Sequence, residues 1–282
     1  MKSGDSSGSG VQRSRTRGLV RAAACVSLLG LAAPGAAGAG EPVRVGGTGA
    51  ALGAVSRLGE QAAASQPDLR IEVMASLGLR GGARAIADNA IDIAVLQRPP
   101  TPAERESGLR EGACATTPFV FVSSRPQPAG LTARQIPSLF SDIAPTWPDG
   151  SPLRIILRSR DGSSLQALTR SIPGIEEAFA AASTRRGVPV GVTDQENADL
   201  AQRTQGSLAT MTLLQLRSEK LPLHALALDG VHPETDARYP LRVRLCLVLR
   251  ASPRPEAARF IAHVRSPAGQ ALLRELGAEP AD

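Results

Sequence analysis

Three observations predict an α/β fold for this chain. Strand-like and helix-like patterns alternate from residue 42 to the C-terminus. Glycine- or serine-rich turns stand between a strand pattern and a helix pattern at three places. Apolar types make up 42% and charged types 21% of 282 residues, the balance of a folded chain with room for a large core. No internal repeat and no long linker interrupts the alternation.

The elements follow in order. Pro42–Gly46 is a short β-like run, and Leu52, Val55, Leu58 and Ala62 behind it keep helical spacing. Leu69–Met74 is strand-like. Gly81–Asn89 reads as a short helix and Ala90–Leu96 as a buried strand. Thr116–Ser123 (TTPFVFVS) is a strand, rich in β-branched and aromatic residues. Leu131–Phe140 reads as a helix with Thr132 as its cap, Leu153–Leu157 as a strand, and Gly162–Ser171 and Ile175–Arg186 as helices. Leu223–Leu228 and Leu241–Leu249 are apolar strand patterns, and Pro253–Val264 and Pro267–Leu276 close the chain as two helices.

The first 39 residues read as an address. Met1–Gln12 is rich in Ser and Gly, Arg13–Arg21 is basic, and Ala22–Ala33 is an apolar run too short to span a bilayer comfortably. Pro34 follows, then Ala37-Gly38-Ala39, an A-x-A cleavage site. Cys25 lies near the start of the apolar run, so it is not placed for lipidation. No later run reaches 18 apolar residues, so no stable membrane insertion is expected of the mature chain.

Charge and aromatic content exclude further classes. The formal charge is +6. Lys2, Arg13, Arg15, Arg17 and Arg21 stand against Asp5 in the leader, so most of the excess leaves with it. No basic run interleaved with aromatics remains, and nucleic acid is not an expected partner. The aromatic residues are five Phe, Trp147 and Tyr239, few platforms for stacking a sugar or a base. The mature chain keeps Cys114 and Cys246, which in an oxidising compartment either pair or serve as two small buried hydrophobes.

The three turns carry the chemistry. They are Gly46-Gly47-Thr48-Gly49-Ala50, Ser76-Leu77-Gly78-Leu79-Arg80-Gly81-Gly82 and Asp161-Gly162-Ser163-Ser164. Each puts unpaired N–H groups at a helix start, where partial positive charge receives oxyanions. Each is also a common structural turn, and Ser163 is an ordinary cap. The first has spacing G-x-G-x-x-x-G, one residue longer than the dinucleotide form, and no Gly-Lys-Ser/Thr follows to make a P-loop. His224, His232 and His263 lack metal spacing, and there is neither a C-x-x-C nor a G-x-S-x-G. No cofactor, metal or catalytic pair is implied.

In this order, the turns and their flanks resemble the periplasmic phosphate-binding proteins of ABC transporters. The segments are VRVGGTGAALGAVSRLGEQ, ASLGLRGGARAIADNAIDIAVLQRPPTPAE, LTARQIPSLFSDIAPTWPDGSPLRIILR and SPAGQALLRELG, and the likeness runs over nearly the whole mature chain. It implies a two-lobed binding-protein fold with two crossover strands and a ligand cleft between the lobes. One lobe would hold residues 40–123 and 242–282, the other 124–241. The crossovers at Thr116–Ser123 and Leu241–Leu249 would bring Cys114 near Cys246.

The resemblance also implies a binding set. Thr48, Gly49 and Ala50 would offer N–H groups and a hydroxyl, and Ser76 with Gly78 further donors. Arg158 would come from the other lobe, held by Asp161, beside Ser163 and Ser164. The family's Arg stands two residues before its Asp. That place here is Ser159, with Arg158 and Arg160 on either side, and either guanidinium could point inward. Gln97 and Arg98 occupy the segment where the family's proton-accepting carboxylate stands, and an inward Arg98 suits a larger or more highly charged oxyanion.

The expected function is that of an exported, non-catalytic, monomeric solute-binding protein in the periplasm. It would capture an inorganic oxyanion, phosphate first, and hand it to an ABC transporter permease. The alternatives are another oxyanion (sulfate, molybdate), an anion sensor or adhesion protein on the same fold, and an exported hydrolase or dehydrogenase on a similar frame.

Overall fold

A computed structural model describes residues 41–159 and 163–281. The leader reading and Asp161 lie outside the described residues.

The chain opens with β1 (Val43–Gly47), a 3-10 turn (Gly49–Ala51), α1 (Leu52–Ser65), β2 (Ile71–Val73), α2 (Gly78–Ala87), β3 (Ile93–Leu96) and α3 (Pro102–Glu106). The long strand β4 (Leu109–Ser123) follows, then α4 (Ile136–Ser141), β5 (Arg154–Ile155), β6 (Leu157–Arg158), α5 (Ser163–Thr169) and α6 (Ile175–Ser183). Next come β7 (Val190–Gly191), α7 (Asp194–Arg203), β8 (Ser207–Thr212), α8 (Leu213–Ser218) and β9 (His224–Ala225). The chain ends with β10 (Arg242–Arg250), α9 (Pro255–Arg265), α10 (Pro267–Glu275) and β11 (Glu279–Ala281).

Strands run in the order β2-β1-β3-β10-β4-β8-β5, with β9 and β11 also on β4; β6 and β7 pair separately. β1 is parallel to β2 and β3, and β10 runs antiparallel to both β3 and β4. β4 is long enough to serve two neighbourhoods. Its first part pairs with β10 and β11, and Phe119–Val122 pairs with β8.

Alternation explains β10. Leu245, Leu247 and Leu249 enter one apolar cluster with Val43, Val45 and Phe260. Cys246 and Val248 enter a second with Ile86, Leu96 and Cys114. Successive side chains point to opposite faces, so a strand covered on both faces reads as unbroken apolar sequence. A third cluster, built on Phe119–Val122, Trp147, Leu157 and Phe179, fills the part of the molecule carrying β5–β9. Cys114 and Cys246 face each other in the β4–β10 register and form a disulfide.

Several element limits differ from expectation, each for a local reason. The helix expected over Leu131–Phe140 begins only at Ile136, because Thr132 closes a turn of its own with Gln135 Oε1, through its N–H at 2.9 Å and its hydroxyl at 2.9 Å. The Leu153–Leu157 pattern divides into β5 and β6, which pair with different strands, β8 and β7. Of the Leu223–Leu228 pattern, only His224–Ala225 is strand, paired with the end of β4. Residues 187–222, where no element was expected, hold β7, α7, β8 and α8. None of the helices among the described residues is long and apolar enough to cross a membrane.

Candidate functional site

A cavity of about 310 Å³ lies where three strand ends meet, lined among others by Thr48, Ser76, Gly78, Arg80, Arg158 and Asp194. Of the expected set, the structure brings Thr48, Ser76, Gly78 and Arg158 together here.

The first turn is shaped by close packing. Gly47 has φ +130°, and a Cβ there would lie 2.2 Å from the Val95 carbonyl oxygen, so only glycine lets β1 run this close to β3. Thr48 caps the 3-10 turn. Its N–H donates to Val95 O at 2.9 Å and its hydroxyl to Asp194 Oδ2 at 3.1 Å. Thr48 therefore faces the cavity with its donors already engaged. Gly49 and Ala50 are buried behind it and do not line the cavity.

The second turn is built on Gly47 as well. Leu77 N–H donates to Gly47 O at 2.9 Å, and the Ser76 hydroxyl reaches the same oxygen at 3.4 Å. Gly78, at φ +67°, opens α2, and no side chain caps the helix. The first amides of an α-helix have no intrahelical acceptor, and Gly78–Gly81 borders the cavity. This helix start is the donor surface on that side.

Arg158 ends β6 on the opposite wall, 8% exposed. Nη1 donates to Gly191 O at 3.1 Å and to Thr193 O, and Nη2 donates to Asp194 Oδ1 at 3.1 Å. Among the described residues its buried Nε has no hydrogen-bond partner. Among the described residues, the carboxylate that fixes this guanidinium is Asp194. Ser159, which lines the cavity, follows directly, and Ser163 and Ser164 are the first residues of α5.

Asp194 was absent from the expected set. It is the first residue of α7, whose cap is Thr193: the Thr193 hydroxyl accepts from Glu196 N–H at 3.1 Å. Thr193-x-x-Glu196 is a readable helix-start signal. Behind Asp194 a polar cluster joins the walls. Gln195 donates to Gly49 O at 3.2 Å, and Thr212 donates to Ala50 O at 2.6 Å. Gln195 and Gln215 both donate to Glu219, whose carboxyl is pushed up by burial.

Arg98 takes a different place. Nη1 and Nη2 grip Glu104 at 2.6 and 2.8 Å, and the guanidinium lines a neighbouring cavity with Arg170, Arg242 and Arg244. The hydrogen bond from Arg98 brings the Glu104 carboxyl down to about 2. His263 is a structural histidine, its Nε2 3.0 Å from Gln61 Oε1. Glu111, Cys114 and Cys246 cluster within 4.8 Å, but the disulfide occupies both sulfurs. No histidine and no aromatic ring lines the Thr48–Arg158 cavity among the described residues. The cavity thus sets helix-start amides on one wall, a guanidinium on the other, and a carboxylate between them, groups able to hydrogen-bond an anion.

A family model, described as the PBP superfamily domain, matches residues 32–264. No curated protein matches the chain. Among solved structures, one similar chain is a candidate phosphate ABC transporter substrate-binding protein with bound phosphate from Clostridium perfringens. It is 15% identical at TM-score 0.69, over 86% of this chain and all of that one. A second is the periplasmic molybdate-binding protein of Azotobacter vinelandii, 13% identical at TM-score 0.58, over 85% of this chain and 100% of that one. A third is an ABC-type phosphate transport receptor from Vibrio cholerae, 15% identical at TM-score 0.54, over 84% and 99% of the two chains.

Proposed function

The chain belongs to the PBP superfamily, and from that membership we propose that it is an exported solute-binding protein that captures an inorganic oxyanion, phosphate before sulfate or molybdate. Residues 1–39 are its leader, removed on export to the periplasm. The mature protein works as a monomer, catalyses nothing, and delivers its anion to an ABC transporter permease. Lobes of residues 40–123 with 242–282, and of residues 124–241, close over the ligand.

One observation supports this reading above the others. Arg158 is buried in the wall of a cavity that also receives the start of α2, and among the described residues its Nε has no acceptor. An unmet buried donor costs about 1–3 kcal/mol, and an oxyanion offset by charge-assisted hydrogen bonds recovers it. The phosphate bound in one similar structure, and the molybdate that another is named for binding, fit the same chemistry.

Asp194 sharpens the choice of anion. Gln97 and Arg98 put no carboxylate after β3, but Asp194 borders the cavity. Its oxygens keep lone pairs beyond those given to Thr48 and Arg158. A phosphate that still carries a proton donates to such an acceptor, whereas sulfate has no proton to give and is repelled.

The test is calorimetric titration with phosphate, sulfate and molybdate. The wild-type chain is expected to bind phosphate, and Arg158→Ala to weaken that binding by about 1.5–3 kcal/mol. Absence of heat with all three anions would remove the reading.

A further inference from the structure

Leu79 lines two cavities. One is the cleft of Thr48 and Arg158; the other, of about 250 Å³, carries four guanidinium groups, from Arg98, Arg170, Arg242 and Arg244. Arg98 follows β3 and Arg170 follows α5, while Arg242 and Arg244 are alternate residues of β10 and so project from one face of it. Among the described residues two carboxylates answer them. Glu104 takes Arg98 through both oxygens, and Glu111 takes Arg244 at 3.0 Å. Arg242 donates to the Ala237 carbonyl at 3.4 Å. Neither it nor Arg170 has a carboxylate partner among the described residues, and both are exposed. The walls between the charged groups are apolar at Leu79, Pro99 and Ala167.

Among the described residues positive charge thus exceeds negative in this cavity, and like charges at close quarters repel. Guanidinium forks match the geometry of carboxylate and phosphoryl oxygens, and the apolar walls suit a short carbon skeleton. Helix α5 borders the guanidinium cavity at Gln166 and Ala167, and Arg170 directly follows its last residue. Cavities of about 310 and 250 Å³ meeting at one side chain reach the size of a small organic-ligand site.

We propose that the full ligand is a small phosphorylated organic anion: its phosphoryl group occupies the cleft and a second anionic group, carboxylate or phosphoryl, occupies the guanidinium cavity. The proposal rests on the oxyanion reading of the cleft, for which orthophosphate is the minimal ligand.

Four probes separate the terms by calorimetry: orthophosphate, glycerol 3-phosphate, 3-phosphoglycerate and 6-phosphogluconate. The expected result is that one or both of the phosphorylated acids bind at least tenfold tighter than glycerol 3-phosphate, which lacks the second anionic group. The combined variant Arg170→Gln, Arg242→Gln should erase that gain and leave the orthophosphate Kd unchanged. If neither acid gains over glycerol 3-phosphate while orthophosphate binds, the second-group proposal is overturned and the cleft reading stands. A gain that survives the double variant also overturns the proposal. If none of the four binds, both readings fall.

Discussion

The Thr48 hydroxyl donates to the Asp194 carboxylate at 3.1 Å, across 146 residues of chain. The other oxygen of that carboxylate accepts from Arg158 at 3.1 Å, so a single side chain ties the end of β1 to the end of β6. Two more bonds hold the same turn, from Gln195 to the Gly49 carbonyl and from Thr212 to the Ala50 carbonyl. The turn that lines the cavity is fixed from behind, which would lower the ordering cost of binding the proposed anion.

Asp194→Asn tests what the carboxylate does. The amide is nearly isosteric, but it leaves the buried Arg158 without its counter-charge, a loss of about 3 kcal/mol in unfolding free energy. Saturating phosphate should recover part of that loss, because the anion becomes the counter-charge. Discrimination of phosphate over sulfate should fall by about 1–3 kcal/mol, since the negative charge that repels sulfate and one of the two accepting oxygens are gone. Urea unfolding with and without each anion measures both effects. An unchanged phosphate-to-sulfate ratio would remove Asp194 from the selectivity argument.

Gly49→Ala tests the clamp on the first turn. A Cβ there would lie 2.3 Å from Gln195 Oε1 and 2.8 Å from Asp194 Cβ. The amide end of Gln195 can swing aside, but Asp194 Cβ is fixed by α7, so the turn must move and the Thr48–Asp194 bond lengthens. Overpacking of this kind costs about 1–3 kcal/mol, and phosphate affinity should fall with it. Gly78→Ala is the contrast. It meets no atom within 4 Å and bears only the strain of φ +67°, about 1–2 kcal/mol. Equal effects on affinity from the two variants would argue against the clamp.

Much of the fold was legible because its signals are local. Leu245–Leu249 reads as a strand covered on both faces, and Gly47, Gly78 and Arg158 stand where turns and a strand end were expected. The region from 187 to 222 was not legible. Strand β8 is SLATMT, whose Ser and Thr look solvent-facing, yet all six residues are buried, with Thr212 donating to Ala50 O and the Ser207 hydroxyl accepting from Ser124 N–H, both distant in sequence. Asp194 escaped notice for a related reason. An acid in the first turn of a helix is ordinary on dipole grounds, and only its three-dimensional neighbours, Thr48 and Arg158, give it a role. Arg98 looked free because its partner Glu104 is also the reciprocal capping residue of α3, two tasks that sequence does not separate.

Glu104 gives the chain a pH signature. Its carboxyl is lowered from 4.5 to about 2, first by the hydrogen bond from Arg98. A depressed carboxyl contributes stability that is fully present above about pH 4.5 and is lost as pH falls through 2. Glu104→Gln should therefore destabilise the protein at neutral pH by about 1.5 kcal/mol. The gap between variant and wild type should close progressively from pH 4.5 down toward 2. Thermal melts across that range measure the gap, and a constant difference at all pH values would contradict the Arg98–Glu104 account.

The disulfide makes the last prediction. Cys114 and Cys246 are 132 residues apart and sit opposite each other on the central strands β4 and β10. Those strands pair along their length without the sulfurs, so the bond acts mainly by restricting the unfolded chain, an effect of roughly 2–5 kcal/mol for loops of this kind. The Cys114→Ala, Cys246→Ala double variant should unfold at lower urea while keeping the wild-type phosphate Kd within about twofold, because neither sulfur lines the cleft. Thiol titration of the denatured, unreduced wild-type protein should find neither cysteine free. A phosphate affinity that collapses with the disulfide would mean that the central strands position the two walls of the cleft through this bond, and not through the Asp194 bridge.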